Sequence, residues 1–389
     1  MPAAPPASRQ WEIDALRGLM LALMTVTHLP TRLTEPIGQP LGFVSAAEGF
    51  VLLSAYMAGL VYGRRAWRDG VVAMRQAFWR RALVVYACHA ATLLFLFTAI
   101  AWIGIKVDQP AVKDLMAYYL EHPWSALGSG LLLVYEPPLL DILPMYVLFM
   151  LASPWVLALS MRWGWTPLIL ASVALWALAQ FGLGQWLYGH LALLLSLRVP
   201  YSETGSFETL AWQFLWMLGL WMGASRNDPV APRFVFPAPV VLIAVAIAFA
   251  GFAWRHAVGQ TPFGAQHHLN VLFDKWHLAP LRLLNLFALM VVTIRFGPAL
   301  AQRLPRLRAL ETLGQASLPV FCAHLVVVLL TLSLLGAHYD RAWWKDALLL
   351  GACFLSLYAV ARLSLWFDKP DDEAAAQARS VKAAPRASG

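Results

Sequence analysis

The chain alternates long apolar runs with short polar breaks, and the runs share one length. A helix that crosses a bilayer needs about 20 mostly apolar residues. Ten stretches meet that length: 11–30, 43–62, 80–103, 142–160, 166–188, 207–224, 235–254, 279–296, 317–335 and 344–367. Gly and polar residues interrupt the fifth, sixth and eighth, and the apolar stretch 186–200 is too short to span once its neighbours are assigned. The pattern predicts an all-α, polytopic integral membrane protein with about ten transmembrane helices filling residues 11–367. The first ten residues, MPAAPPASRQ, form a short N-terminal segment. No small-residue cleavage site follows the first apolar run, so that run is expected to stay as a helix and not to leave as a signal peptide. The tail 368–389 is small and polar and is expected to be disordered. No soluble domain and no internal repeat is expected.

Composition agrees with this pattern. Of 389 residues, 60% are hydrophobic and 13% charged, against about 45–50% and about 25% in soluble domains. A soluble chain could not cover its surface with so few polar groups, and so apolar a chain is not intrinsically disordered. The net charge of +8 does not indicate nucleic acid, because no basic stretch is interleaved with exposed aromatics on a polar segment. In a membrane protein it sets orientation. Ten spans put both termini on one side. With that side cytoplasmic, the first inner loop holds Arg64, Arg65, Arg68 and Arg75 with Arg80 and Arg81 at its end, the loop 297–316 holds Arg303, Arg306 and Arg308, and the tail holds Lys369, Arg379, Lys382 and Arg386. About two-thirds of all Lys and Arg then lie inside, as the positive-inside rule requires. The outer segments 104–141, 189–206 and 255–278 carry Trp, Tyr, His, Asp and Glu, which suits a polar substrate. Cys88, Cys322 and Cys353 sit in apolar runs and read as small buried hydrophobes. The spacing of His267, His268 and His277 specifies no metal site, and none is expected.

Ionisable groups at membrane depth are costly, and each is a functional candidate. The first helix carries three: Asp14, Arg17 and His28. At about 100° per residue, Arg17 and His28 differ in direction by roughly 20° and Asp14 and His28 by roughly 40°. The three line one face, with Arg17 and His28 about 16 Å apart along the axis. A plain structural reading makes Asp14–Arg17 an i,i+3 ion pair and His28 an interfacial residue. Glu48 lies about a turn inside the second helix at a depth like that of His28, and the short loop 31–42 makes the two helices neighbours. A Glu48–His28 pair would raise imidazole basicity and fix its tautomer. His89, Asp141 in the Pro-rich EPPLLDILPMY, and His324 behind Pro319 are further intramembrane candidates, with structural and functional roles equally open. Pro319 is expected to loosen its helix, and the Pro-rich segment to be kinked or re-entrant.

Arg17 and His28, with ten residues between them, resemble the Arg-x10-His signature of the acyltransferase 3 superfamily. More narrowly, EIDALRGLMLALMTVTHLP, SAAEGFVLLSAYMAG, EPPLLDILPMYVLFML, KWHLAPLRLLN and LGQASLPVFCAHL resemble the OpgC family, in order, over about residues 9–367. The resemblance implies an O-acyltransferase of the bacterial inner membrane. It would move a succinyl group from cytoplasmic succinyl-CoA to hydroxyls of osmoregulated periplasmic glucans, with succinyl-CoA as donor and no permanently bound cofactor. On that reading Arg17, Arg80 and Arg81 hold the phosphates of coenzyme A, although Arg80 and Arg81 equally suit simple positive-inside anchoring. His28 is the general base, Glu48 orients it, and Asp14 positions Arg17 and the donor. The candidates for glucan and acyl binding are Asp141, Tyr146, Lys275, Trp276, Arg282 and His324. The partners are donor, glucan and bilayer, with homo-oligomerisation left open. Three other readings fit the same composition: acetyl transfer to another envelope glycan, a proton-coupled transporter, and a structural subunit of the envelope machinery.

Overall fold

The computed structural model describes residues 10–227, 234–264, 266–337 and 341–368. The expected N-terminal segment, apart from its last residue, and the expected tail from residue 369 onward lie outside the described residues. Among the described residues every regular element is a helix. The longer ones are α1 (Trp11–His28), α2 (Ala46–Phe95), α3 (Pro123–Leu131), α4 (Ile142–Trp163), α5 (Thr166–Ala179), α6 (Leu183–Leu195), α7 (Thr209–Ser225), α8 (Ala238–Val258), α9 (Pro280–Arg303), α10 (Arg308–Gln315), α11 (Ser317–Leu335) and α12 (Trp343–Phe367).

Among the described residues, six helical stretches are long and apolar enough to cross a membrane: Ala46–Val107, which is α2 with its continuation, and α4, α8, α9, α11 and α12. The pair α5 and α6, bent by 82°, makes a seventh if taken as one span. The expected span 166–188 is therefore not one straight helix. Its first half ends at Ala179, Gly182 adopts a left-handed φ of 82° that glycine takes without steric cost, and the second half runs on through residues the hydrophobic pattern had set aside.

The first stretch is a hairpin. Sixty-two helical residues would extend for about 93 Å, roughly three times the hydrocarbon thickness. At Gly70 the backbone leaves helical geometry (φ 85°, ψ 165°), and beyond it the chain returns: the rings of Tyr62 and Phe78 are 4.0 Å apart, centroid to centroid. In a straight helix their 16-residue separation would be about 24 Å.

The core forms where the limbs of α2 meet α1, α4, α7 and α11, with Val51, Ala55, Trp212, Leu215, Val320 and Leu325 all essentially inaccessible. The opposite faces stay apolar. Leu193, Phe249 and Leu355 are 83%, 70% and 72% exposed, and an outer surface this greasy needs lipid as its solvent. The Pro-rich segment leading into α4 is non-helical from Val134 to Pro137 and carries buried Tyr135, Glu136 and Leu140. Irregular backbone of this kind is tolerated at membrane depth where protein covers it.

Candidate active site

Helix α1 brings its polar stripe against two partners, and small residues decide which. Gly18 on α1 and Gly314 on α10 sit so close that a Cβ on either would overlap a carbonyl of the other helix, at Leu310 and Asp14 respectively. Small residues at a helix crossing allow this backbone approach. The chain then enters α11 at Ser317, beside Arg17, and the Arg17 guanidinium donates a hydrogen bond to Ser317 Oγ. Arg17 Nη1 also lies 3.8 Å from buried Asp14.

Eleven residues further along the same stripe, His28 Nδ1 is 2.9 Å from His324 Nε2. The two rings are stacked with centroids 5.1 Å apart, and Phe321 packs against His324 at 5.4 Å. Pro319 falls in the first turn of α11, where backbone N–H groups have no intrahelical acceptor. It costs that helix nothing, and α11 is not loosened there.

Glu48 does not orient His28. Its carboxylate is fully buried and already committed. One oxygen accepts from the Ser45 amide (3.0 Å) and hydroxyl, closing the N-terminus of α2 in a capping box. The other forms an ion pair with Arg282 Nε. Arg282 Nη1 donates to the Phe273 carbonyl at 3.2 Å. Arg282 is thus held in a buried ion pair (2% exposed) and lines neither of the two cavities at this stripe.

Two cavities meet at this stripe. One, of about 220 Å³, is lined by Arg17, Arg81, Ser54, Tyr146 and Ser317. The other, of about 770 Å³, is lined by His28, Asp141, Lys275, Trp276, Gln39 and Gln260. Ile142 and Phe321 line both and form the partition between them. Three helices cross that partition in register. On α1, Arg17 faces the small cavity and His28 the large one. On α11, Ser317 precedes Phe321 by one turn, and His324, bonded to His28, follows it. At the start of α4, Asp141, Ile142 and Tyr146 fall on the large cavity, the partition and the small cavity in turn.

The remaining candidates divide accordingly. Lys275 and Trp276 are in the His28 cavity, with Lys275 Nζ 4.5 Å above the Trp276 ring. Asp141 is there too, accepting from the Ser206 amide at 3.1 Å. Tyr146, expected on the sugar side, lies in the Arg17 cavity and donates to the Phe50 carbonyl at 3.2 Å. Arg80 is exposed and lines neither cavity. His89 is fully buried away from both and bonds the Gly130 carbonyl at 3.0 Å, at the end of α3. Sequence reasoning passed over Ser317, Phe321 and Ile142. Their signal is positional, since each is one helical turn or less from a residue already singled out.

The loop that presents Lys275 and Trp276 is held by Asp274. Its carboxylate accepts from the amides of Trp276 and His277 at 3.2 Å and from His277 Nδ1 at 2.5 Å. That carboxylate bond raises the His277 pKa above its usual 6.5. Asp274 is pushed up by burial but held below its usual 3.8 overall by His277 and the two amides. The His277 contribution is complete below pH 6.5 and is lost as pH rises through the raised value; the Asp274 contribution is lost only as pH falls through a value under 3.8. Hydrogen exchange at the Trp276 and His277 amides, corrected for intrinsic rate, should therefore accelerate severalfold from pH 6 to pH 8.5. In His277→Gln it should be fast at both. Protection that is constant across this range in the wild type would contradict the role given to the pair.

The sequence model of the OpgC protein family matches residues 9–369, nearly the whole chain. No curated protein matches the chain, and no solved structure matches it.

Proposed function

The chain belongs to the OpgC family, and from that premise we propose that it transfers a succinyl group from succinyl-CoA to hydroxyls of osmoregulated periplasmic glucans. The observation that carries this reading is the pair of cavities back to back on Ile142 and Phe321, one holding the Arg17 guanidinium and the other the His28 imidazole. A donor and an acceptor that never share a compartment need two entrances and one meeting point.

In this reading the chain crosses the bacterial inner membrane ten times with both termini cytoplasmic. The count takes the six apolar stretches, adds the second limb of the α2 hairpin and the bent pair α5 and α6, and includes α1 and α7. Helix α1 carries three charges in its first turns, and α7 is 17 residues long, so each is less apolar or shorter than a simple span. The asymmetry of the basic loops supports a cytoplasmic position for the Arg17 cavity. Arg17 and Arg81 hold the anionic end of the donor by charge-assisted hydrogen bonds, and the long pantetheine arm carries the thioester past the partition to His28. A base at His28 Nε2 requires His28 Nδ1 to donate to His324 Nε2, so His324 fixes both ring orientation and tautomer. The glucan hydroxyl oxygen attacks the thioester carbonyl carbon while His28 Nε2 takes its proton. As the C–O bond forms and the C–S bond breaks, the proton passes to the departing thiolate. Both substrates are held together, so proximity supplies much of the rate gain. Asp141 and Trp276 receive the sugar by hydroxyl contact and stacking.

Lys275 and Arg32 both line the His28 cavity; Lys275, beside Trp276, is the cation assigned to the succinyl carboxylate. A hydrogen bond to a charged group contributes about 1.5–3 kcal/mol. Lys275→Met should therefore lower kcat/KM for succinyl-CoA about ten- to a hundredfold while changing acetyl-CoA turnover little. Equal losses with both donors would remove Lys275 from donor selection. Two cavities separated by a thin partition also suit an alternating-access carrier. Glucan flux through reconstituted protein without any acyl donor would favour that second reading.

A further inference from the structure

Beside the His28 cavity lies another, of about 640 Å³, beneath α6. The two share a wall made of Ser206, Phe207 and Trp276. The rings of Phe207 and Trp276 meet edge to face at 5.3 Å, and Trp276 is 40% exposed, so an aromatic ridge separates two open spaces. Helix α6, turned by the 82° bend after α5, covers the second space with Leu187, Leu191 and Leu195.

Two carboxylates line this space, and they differ. Glu208 is occupied: it accepts from the Tyr201 hydroxyl at 2.5 Å and caps α7 through the Leu210 amide. Glu136 is 8% exposed, and its carboxylate has no hydrogen-bond partner among the described residues. Its main-chain N–H is used, on the Glu203 carbonyl at 2.9 Å. Gly205, at φ +90°, stands against Glu136 Oε2, where any Cβ would overlap that oxygen. The backbone makes room for the carboxylate but supplies it no donor. The carboxylate lines the cavity with no protein donor among the described residues, and an incoming O–H group would supply the hydrogen bond it lacks. Asp141, the neighbouring carboxylate on the same Pro-rich segment, opens to the other cavity.

We propose that this cavity is a second acceptor subsite, which takes a neighbouring sugar residue of the glucan across the Phe207–Trp276 ridge with Glu136 accepting its hydroxyl hydrogen bonds. The proposal rests on the glucan reading of the His28 cavity. Sugar rings present hydroxyls at their edges and C–H groups on their faces, matching a carboxylate opposite a leucine wall. A chain of sugars, unlike a single small acceptor, gives a reason for two adjoining spaces with a stacking edge between them.

The test is equilibrium binding to the full chain in lipid nanodiscs without donor. The probe is a fluorescently labelled gluco-tetrasaccharide, displaced by unlabelled methyl glucoside, glucose disaccharide or gluco-tetrasaccharide. The tetrasaccharide should displace it at a concentration at least tenfold below that of methyl glucoside. Glu136→Gln should shrink that ratio to about two, and Leu191→Trp, which fills the space from α6 without touching the carboxylate, should do the same. A length preference that survives both substitutions overturns the subsite and leaves the cavity to lipid. Equal affinity for all three sugars in the wild type overturns the subsite alone. Failure of every sugar to bind overturns the subsite together with the glucan reading.

Discussion

His28→Ala should lower the rate of glucan succinylation by about 10²- to 10⁴-fold, the range a positioned general base contributes. Folding should be little affected, because the side chain lines a cavity and its only hydrogen bond among the described residues is to His324. His324→Leu should lose less, since it removes the group that fixes the tautomer but leaves the base. The ordering of the two variants is the informative result. Equal losses would mean that the histidines act as one unit and that neither is the base on its own. A His28→Ala protein retaining more than a tenth of wild-type turnover would exclude His28 from proton transfer.

The second large effect is on stability. Glu48 and Arg282 form an ion pair with side chains 0% and 2% exposed. Removing one partner of a buried pair leaves the other charge uncompensated and costs about 3–5 kcal/mol. Glu48→Ala and Arg282→Met should each lower thermal stability sharply in detergent, and Glu48→Ala also removes the capping box of α2. The double variant Glu48→Met with Arg282→Met should recover much of the loss, because no orphan charge remains. If Glu48 instead oriented His28, Glu48→Gln would depress kcat while leaving the melting temperature in place. The expected result is the reverse: a lower melting temperature, with turnover per folded molecule nearly preserved.

The stripe of Asp14, Arg17 and His28 was legible because helical geometry alone sets the relative direction of residues on one helix. The structure places Arg17 in one cavity and His28 in the other. The partner of His28 was not legible. A short loop predicts that α1 and α2 are neighbours, but it does not fix how α2 is rotated about its axis. The four residues Ser45 to Glu48 carried the missing signal, for Ser-x-x-Glu ahead of an apolar run is a capping box, and a glutamate so used is not free to serve a histidine. The Glu48–Arg282 pair spans 234 residues, a separation that no local pattern encodes. Tyr146 was misplaced for a related reason: it lies one turn beyond Asp141, and one turn here crosses the partition. The bend after α5 was hidden because α5 and α6 are both apolar and only Gly182 marks the break.

Proteoliposomes with the chain inserted in one orientation test the central claim most directly. Succinyl-CoA is supplied on the side of the basic loops and glucan on the opposite side, with succinyl ester on the glucan measured by mass spectrometry. The account predicts ester formation in this arrangement, none when donor and glucan are exchanged across the membrane, and none with His28→Ala. Ester formed equally well in both arrangements would contradict the two-cavity path, as would glucan crossing the membrane unmodified in place of being acylated.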